Sequence, residues 1–454
     1  EKENQNINAH LNDDLLFIIF SHLKISEHFI FRTVCKRWFN LMNYLLEKRK
    51  VLAISSDGKV NCATHKQITS CDAIGSLCKT VKDGSRSLYT VQGKMLKQIF
   101  DVCSNITSLS MRYSIVDRSV WEFFKDYCPQ NLEEIDFSHS QGLIDEVLRF
   151  IINNCGMTLK YVKLNDSDIH ESVLQLLVTS SPQLISLDLK RNYRITGQCF
   201  NQMNLNLEKL QLTNCFHIDY LGLKALTQSN CNNLKYFKLG DLPNGQLLEF
   251  FADNFANLTY FSVDLADVVV TNAQLRNIAR FTQLETLKLT TPFIRYDSVF
   301  LDIFKSCPKL KKLYLDGGIL TDKSLAYIGT YCPLIEELSI DNCEVVINKK
   351  LSDFTADSLA KLEHLEFLSV EWSGIGDGMC KVVEQCKAIQ HIRVQNCKKI
   401  TNNFILACIE AAKAKPKNEF IQVFVHGTSI CLYNLNVELP ENLHVEQTRM
   451  IFAL

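Results

Sequence analysis

Four residues between positions 62 and 78 are of the types that bind zinc. They are Cys62, His65, Cys71 and Cys78, and thiolates and imidazoles are the usual ligands of a structural zinc ion. Paired zinc sites place two ligands with two residues between them, and the spacings here do not match that arrangement. We therefore expect neither a metal site nor a cofactor. We interpret this segment as irregular first units of the repeated pattern that is described below.

A second set of side chains recurs further along the chain and suits an anionic partner. It consists of Lys163, Lys190, Lys209, Tyr236, Lys238, Tyr260, Lys288, Lys312 and Tyr314. Lysines pair with carboxylates and phosphates, and aromatic rings supply contact area at binding hot spots. The sign of the charge changes afterwards, with Asp316, Glu337, Asp341 and Glu371 near Phe367 and Trp372. The pattern predicts a groove for an acidic or phosphorylated segment at its centre and a basic segment toward its C-terminal end. The alternative is that these charges only keep an exposed strand surface soluble.

The sequence lacks the motifs of common enzymes. It has no Gly-x-x-x-x-Gly-Lys phosphate loop, no Gly-x-Ser-x-Gly elbow and no His-Glu-x-x-His pair, and no Cys has a convincing His partner. We expect a binding protein and no catalytic site.

A repeated pattern positions the lysines and tyrosines. From residue 106 onward, one row of apolar, two variable, apolar, one variable and apolar residues returns thirteen times. The rows begin at Ile106, Leu132, Leu159, Leu184, Leu207, Leu234, Leu258, Leu284, Leu310, Ile335, Leu365, Ile389 and, more loosely, Phe420. Their spacing of about 26 residues lies in the leucine-rich-repeat range.

Each row predicts a short strand followed by a helix. Side chains alternate across a strand, so the third, fifth and seventh positions face outward and the fourth and sixth enter the core. The Lys and Tyr series falls on the outward positions. The helices show apolar residues at helical spacing, and Thr196, Thr321 and Asp145 are the predicted N-caps.

Most of the eighteen Cys residues occupy repeat positions. Seven precede a row by three or four residues, namely Cys103, Cys128, Cys155, Cys231, Cys307, Cys332 and Cys386. Three are the ninth residue of a row and are each preceded by Asn, namely Cys215, Cys343 and Cys397. Three more fall within predicted helices, namely Cys199, Cys380 and Cys408. We expect these to be buried structural thiols in a reducing compartment.

The segments "CPKLKKLYLDGGILTDKSLAYIGTYC" and "NLEKLQLTNCFHIDYLGLKALTQSNC" resemble the cysteine-containing subclass of leucine-rich repeats. The resemblance covers about three quarters of the chain. It implies an α/β fold, a curved solenoid with parallel strands on the concave side and helices on the convex side.

The stretch "LNDDLLFIIFSHLKISEHFIFRTVCKRWFNLM" precedes the repeats and is apolar on several sides. It predicts three short helices, the first capped by Asn12, the second by Ser26, and the third running from about Val34 through Tyr44. Forty residues seldom form an adequate core alone, so part of this apolar surface is expected to dock on another protein. The alternative is a helical subdomain that only closes the end of the solenoid.

This stretch resembles the F-box. The family's pattern is present in Leu11, Asp14, Leu15, Leu16, Ile19, Phe20, Leu23, Val34, Cys35, Lys36 and Trp38, with Asn12 where Pro is usual. The resemblance implies a non-catalytic substrate receptor of an SCF-type, cullin–RING ubiquitin ligase. It also implies that Leu11, Leu15, Leu16, Ile19, Phe20, Val34 and Trp38 face a Skp-family adaptor or support the facing surface.

Charge and hydropathy limit the other partners. The formal net charge is −1 and no segment is apolar enough to span a membrane, so we expect neither nucleic acid nor membrane as a partner. "EKENQNINAH" lacks the apolar core of a signal peptide, and we expect a cytoplasmic or nuclear protein.

The predicted organisation is a polar tail (1–10), an F-box (11–50), irregular first repeats or a linker (51–104), leucine-rich repeats (105–429) and a C-terminal cap or tail (430–454). Two alternatives remain open for function. One is a scaffold that acts outside a ligase, and the other is a receptor gated by a small molecule.

Overall fold

The computed structural model describes residues 12–23, 31–48, 51–54, 60–63, 79–83, 86–101, 103–204, 206–295, 297–341, 353–371, 375–416, 418–435 and 437–447. Leu11, His65, Cys71, Cys78, Cys343, Trp372 and the side chain of Cys62 lie outside the described residues. The chain divides into two compact units, Glu1–Cys231 (unit 1) and Asn232–Leu454 (unit 2).

The described part of unit 1 begins with two helices, α1 (Asp13–Ser21) and α2 (Lys36–Glu47). The side chain of Asn12 accepts a hydrogen bond of 2.9 Å from the Leu15 N–H, which satisfies an otherwise free donor of the first turn. The predicted first helix and its cap are thus confirmed. The predicted third helix is present and starts two residues later than expected. Residues 24–30, which hold most of the predicted second helix, lie outside the described residues.

Four strands follow among the described residues, and from Gly93 onward one or two strands alternate with each helix. The strands are β1 (Val51–Ile54), β2 (Val60–Ala63), β3 (Lys79–Asp83), β4 (Arg86–Thr90), β5 (Ser108–Met111), β6 (Ser114–Val116), β7 (Glu134–Asp136), β8 (Gln141–Gly142), β9 (Tyr161–Lys163), β10 (Ser186–Asp188) and β11 (Lys209–Leu212). The helices are α3 (Gly93–Phe100), α4 (Arg118–Asp126), α5 (Ile144–Cys155), α6 (Glu171–Ser180), the 3-10 helix Gln198–Gln202 and α7 (Tyr220–Thr227).

The main sheet of unit 1 is parallel in the order β1-β5-β7-β9-β10-β11, with β2 antiparallel to β1 at one edge. A smaller sheet follows the order β3-β4-β6-β8. In β5 and β11 the burial alternates as the rows predict, with Leu109, Met111, Leu210 and Leu212 in the core. Each row therefore supplies one strand and the two apolar side chains beneath it.

A left-handed turn follows the strand in successive repeats of unit 1. The residues with positive φ at this position are Tyr113, His139, Asp166, Arg191 and Asn214. Their N–H groups extend the ladder, as when Tyr113 donates to the Ser138 carbonyl (3.0 Å) and Arg191 to that of Thr213 (2.9 Å).

In three of these turns the next residue is small, and its side chain donates to a carbonyl at the end of the strand in the preceding repeat. Ser140 Oγ lies 2.5 Å from the Met111 oxygen, Ser167 Oγ 2.7 Å from that of Phe137, and Cys215 Sγ 3.0 Å from that of Leu189. These bonds satisfy buried carbonyls that the strand ladder leaves open.

Unit 2 repeats the same alternation. Its strands are β12 (Tyr236–Asp241), β13 (Tyr260–Asp264), β14 (Thr286–Arg295), β15 (Lys312–Ile319), β16 (Glu337–Asp341), β17 (Phe367–Ser369), β18 (His391–Arg393), β19 (Ile421–Phe424) and β20 (Leu443–Glu446). Its helices are α8 (Leu247–Asn254), α9 (Asn272–Arg276), α10 (Asp297–Ser306), α11 (Asp322–Tyr331), α12 (Asp353–Leu359), α13 (Cys380–Gln385), α14 (Asn402–Ala414) and three 3-10 helices (Asn277–Arg280, Asp377–Met379, Leu432–Asn434). All pairs from β12 to β20 are parallel, and β20 extends the sheet beside β19.

The predicted helix caps were only partly right. Thr321 does precede α11, but its hydroxyl donates to Asp297 Oδ1 (2.7 Å) and makes no cap bond. Asp145 lies inside the first turn of α5, and Gly197 rather than Thr196 precedes the 3-10 helix. The Thr321 hydroxyl is therefore bonded to the Asp297 carboxylate of the neighbouring repeat and does not accept from the amides of α11.

Ten of the thirteen cysteines that were predicted to be buried thiols are buried. Cys103, Cys155, Cys199, Cys215, Cys231, Cys307, Cys332, Cys386, Cys397 and Cys408 are buried, while Cys128 and Cys380 are half-buried. Several thiols donate to carbonyls of the preceding repeat, as Cys307 does to Phe281 (3.5 Å) and Cys386 to Leu359 (3.6 Å).

The α/β class is confirmed, because N-terminal helices precede parallel strands that alternate with helices. Within the described part of the chain, each helix is too short or too polar to cross a lipid bilayer.

Candidate functional site

The two N-terminal helices pack through a small apolar core. Its members are Leu16, Phe20, Met42 and Leu45, with Phe17, Leu23, Phe31, Trp38 and Leu41 packed against them. Trp38 lies edge-on to both Phe20 and Phe31, with ring centroids 4.9 and 6.0 Å away. Arg37 Nε contacts Asp13 Oδ1 at 2.7 Å and joins the first turns of the two helices. This core fixes the direction in which the remaining apolar side chains point.

The opposite side of α1 is apolar and exposed. Leu15, Ile18 and Ile19 are 48, 55 and 47% exposed, and residues three and four apart share one face of a helix. We call these three side chains the exposed face of α1. Val34, Phe39 and Tyr44 add further exposed apolar surface on and before α2. Apolar patches of this kind mark sites of protein–protein contact.

The lysines predicted for unit 1 alternate with carboxylates. In the sheet register Lys163 lies between Asp136 and Asp188, and its Nζ is 3.4 Å from Glu134 Oε1. Lys209 lies in β11, which is two strands away from the strand of Lys163, and Lys190 follows β10. Unit 1 thus presents charges of both signs on its strand face, the surface formed by the outward positions of the rows.

In unit 2 the predicted residues contact one another. Tyr236 stacks on Tyr260 with ring centroids 4.0 Å apart. Lys288 Nζ lies 3.8 Å from the centre of the Tyr314 ring, which is close enough for a cation–π interaction. In the register of the sheet, Lys288 pairs with Ser262, and Ser262 pairs with Lys238.

Glu337 neutralises one end of this cluster. It accepts hydrogen bonds from Lys312 (2.5 Å) and from the Tyr314 hydroxyl. Although burial opposes the effect, these two bonds hold the pKa of Glu337 below its ordinary value. Burial, together with the Glu337 carboxylate, raises the pKa of Tyr314. Lys312 is therefore engaged within the chain.

Lys288 is a cation in a less favourable environment than that of Lys312. Burial, followed by the charge of Lys238, lowers the pKa of Lys288. An anion beside Lys288 would offset both effects, so this position suits a carboxylate or phosphate.

The acidic residues of unit 2 line one edge of its strand face. In the register of the sheet, Asp241 pairs with Asp264, and Asp316 pairs with Asp341. Burial, with the nearby charges of Asp241, Asp267 and Asp316, raises the pKa of Asp264. The sign of the charge was predicted to change from row to row along the array. It also changes along a strand, since β12 carries Lys238 and ends at Asp241.

The described residues hold no group of three metal-ligating side chains. The zinc-type residues of the early repeats lie outside that part of the chain.

Comparison with protein families identifies the N-terminal helices. The F-box domain family matches residues 9–50. This segment is an F-box. An F-box domain therefore precedes leucine-rich repeats in this chain, as the motifs of both predicted.

Comparisons that extend over most of the chain give more distant similarities. A Caenorhabditis elegans protein named "Putative RNA-binding protein EEED8.10" is 22% identical over 352 residues, which is 76% of this chain and 43% of that protein. This chain spans less than half the length of that relative.

Solved structures of similar architecture include an internalin (inlF) of Listeria monocytogenes, with 14% identity, a TM-score of 0.43, and coverage of 77% of this chain and 82% of the other. The Leptospira interrogans LRR protein LIC12759 has 14% identity, a TM-score of 0.43, and coverage of 73 and 87%. The Rad7 and Elc1 complex of yeast has 15% identity, a TM-score of 0.37, and coverage of 66 and 83%.

The predicted adaptor contacts of the F-box fall into two groups. Leu15, Ile19 and Val34 are exposed, whereas Leu16 and Phe20 are core residues and Trp38 is half-buried against them. The second group can only support the surface. Ile18, Phe39 and Tyr44 are exposed but were not predicted as contacts. The spacing of Ile18 from Leu15 was the available signal, because residues three apart lie on one helix face.

Proposed function

We propose that the chain is the substrate receptor of an SCF-type ubiquitin ligase and that the exposed face of α1 binds a Skp-family adaptor. The observation that carries the proposal is the division of α1, in which Leu16 and Phe20 complete the F-box core while Leu15, Ile18 and Ile19 point to solvent. A helix with two apolar sides needs a second partner, and the residues that the structure describes cover only one side.

The strand face of unit 2 is the proposed contact for the protein substrate. The stacked Tyr236 and Tyr260 supply aromatic contact area, and Lys288, which lies over the Tyr314 ring, supplies a charge. Lys163, Lys190, Lys209, Lys238, Lys312 and Tyr314 remain predicted contributors. The receptor itself supplies binding energy and position, while the cullin–RING subunits supply the ubiquitin-transfer chemistry. Its proposed location is the cytoplasm or the nucleus.

Two alternatives have different partners. A scaffold outside a ligase would use the repeats and leave the F-box unoccupied. A receptor gated by a small molecule would need a pocket among the Lys and Tyr rows. A cavity of about 260 Å³ in unit 2 lies elsewhere, lined by residues that include Cys386, Lys387, Lys415 and Glu419.

Co-purification separates these functions. The tagged full chain is co-expressed with a Skp-family adaptor and a cullin, alongside the double variant Leu15→Asp/Ile19→Asp. We expect adaptor and cullin to co-purify with the wild type and to be lost from the variant. Leu221→Asp is the matched control, because Leu221 is 65% exposed outside the F-box. Absence of adaptor from the wild-type material would favour the scaffold.

A further inference from the structure

Two exposed aromatic rings lie side by side in the loops of unit 1. Tyr193 and Phe216 occupy the same position of consecutive repeats, beyond β10 and β11. Their ring centroids are 5.8 Å apart and their planes differ by 18°. They are 42 and 62% exposed. The pair therefore presents apolar surface to solvent that the core does not use.

Cations flank this pair on the same loop. Lys190 and Arg191 precede Tyr193, and Arg194 follows it. Arg194 Nη1 donates to the Asp168 carbonyl at 3.3 Å, an uncharged acceptor. In the part of the chain that the structure describes, no carboxylate forms an ion pair with any of these three side chains. The loop thus combines aromatic surface with positive charge that no described carboxylate neutralises by direct contact.

The turn at Arg191 is independent of its side chain. Its φ is 59°, in the left-handed region, where Asn214 and Asn396 occupy the equivalent positions of other repeats. Asn adopts this conformation more readily than a long side chain does. The turn itself is fixed by the hydrogen bond from Arg191 N to Thr213 O. Since Tyr113, His139 and Asp166 adopt the same turn in other repeats, the turn does not depend on the guanidinium, and Arg191→Asn removes that cation while keeping a residue that suits the turn.

We propose that these loops, defined by Lys190, Arg191, Tyr193, Arg194 and Phe216, dock an acidic protein segment that carries an aromatic or aliphatic anchor. The proposal rests on the proposed function, because the docked segment would belong to the substrate. The rings would cover the anchor, and the cations would pair with carboxylates on either side of it.

A peptide fits these loops better than a nucleic acid does. Asp166, Asp168 and Asp188 lie in the same and the preceding repeat. A nucleic acid carries a charge on every phosphate and gains affinity by neutralising many of them, so these carboxylates would oppose its backbone. A peptide can place its few carboxylates beside the cations alone.

The test is selection of phage-displayed random dodecapeptides on the full chain. We expect enriched peptides to be net negative and to contain an aromatic or aliphatic residue. Their affinity should fall by about thirtyfold in the Tyr193→Ala/Phe216→Ala variant, since each hot-spot aromatic contributes more than about 1 kcal/mol. Arg191→Asn, which suits the turn, should also weaken binding. Tyr433→Ala, at a site 96% exposed in unit 2, should leave it unchanged.

Several outcomes would overturn the proposal. They are selection without acidic enrichment, peptides that bind the double variant as tightly as the wild type, or binding of labelled oligouridylate that depends on Tyr193 and Phe216. Titration of the same proteins with the adaptor keeps the two proposals apart. Intact adaptor binding with failed peptide selection rejects only this inference, whereas wild-type chain that binds no adaptor rejects the proposed function.

Discussion

The indole of Trp38 lies edge-on against the ring of Phe20, with centroids 4.9 Å apart and planes at 65°. This contact joins α2 to α1 and holds Phe20 in the core. The side chains at Leu15, Ile18 and Ile19 are consequently directed outward. Trp38 therefore packs the two helices together with its ring half-buried, and this packing orients the exposed face of α1.

Loss of this contact should loosen the F-box. We expect Trp38→Ala to destabilise α1 and α2 by about 3 to 5 kcal/mol, because it removes a large ring from a small core. Hydrogen exchange of the amides in residues 13–21 should accelerate accordingly. Ile18→Ala is the control and should leave exchange nearly unchanged, since Ile18 is 55% exposed. Equal exchange in both variants would show that the aromatic contact does not hold the helices.

Asn192 should stabilise two neighbouring repeats. Its Nδ2 donates to the carbonyls of Leu164 (2.7 Å) and Leu189 (2.8 Å), and its Oδ1 accepts from Ile169 N at 3.1 Å. Asn192→Ala leaves these buried groups without their partner. We expect the free energy of unfolding, measured by urea denaturation, to fall by about 3 kcal/mol. Gln175→Ala, at an exposed position of the same unit, should change the midpoint little. A midpoint for Asn192→Ala equal to that of this control would contradict the assignment.

The buried thiols should resist alkylation. Burial raises the pKa of Cys307 to about 12 and that of Cys386 to about 11, so the reactive thiolate is scarcer at pH 8 than in an ordinary cysteine. We expect iodoacetamide at pH 8 to modify the exposed Cys431 first and these two only after denaturant is added. Peptide mass spectrometry gives the order. Modification of Cys307 as fast as Cys431 in the native chain would rule out a structural role.

The pKa of Lys288 should respond to Lys238. Removal of a nearby like charge favours the protonated amine, so Lys238→Gln should raise the pKa of Lys288. NMR titration of ¹³C-methylated lysines measures the change. Lys309→Gln is the control, because Lys309 contacts Gln283 and is not among the charges that lower the pKa of Lys288. A pKa that falls or stays constant in Lys238→Gln would place the two ammonium groups apart.

The sequence predicted the elements better than the site. Apolar spacing located the strands, because each row buries two side chains of fixed period, as Leu210 and Leu212 do in β11. Charge pairing could not be read in the same way. Lys312 falls on an outward position as predicted, yet Glu337, 25 residues later, engages it. The partner of an outward side chain depends on the register of adjacent repeats.

The left-handed turns were also missed, because no single residue type marks them. Tyr113, His139 and Arg191 adopt a conformation that usually favours Gly or Asn. The backbone ladder to the next repeat imposes it, and that ladder exists only once the repeats have stacked.

Calorimetric titration of the full chain with a purified Skp-family adaptor tests the central claim most directly. We predict a one-to-one complex with a Kd of about 1 μM or tighter, equivalent to about −8 kcal/mol. Ile18→Asp should abolish the heat of binding while the fold is retained, because it places a charge on the exposed face of α1. A wild-type chain that gives no heat, or an Ile18→Asp variant that binds equally well, would contradict the assignment of that face.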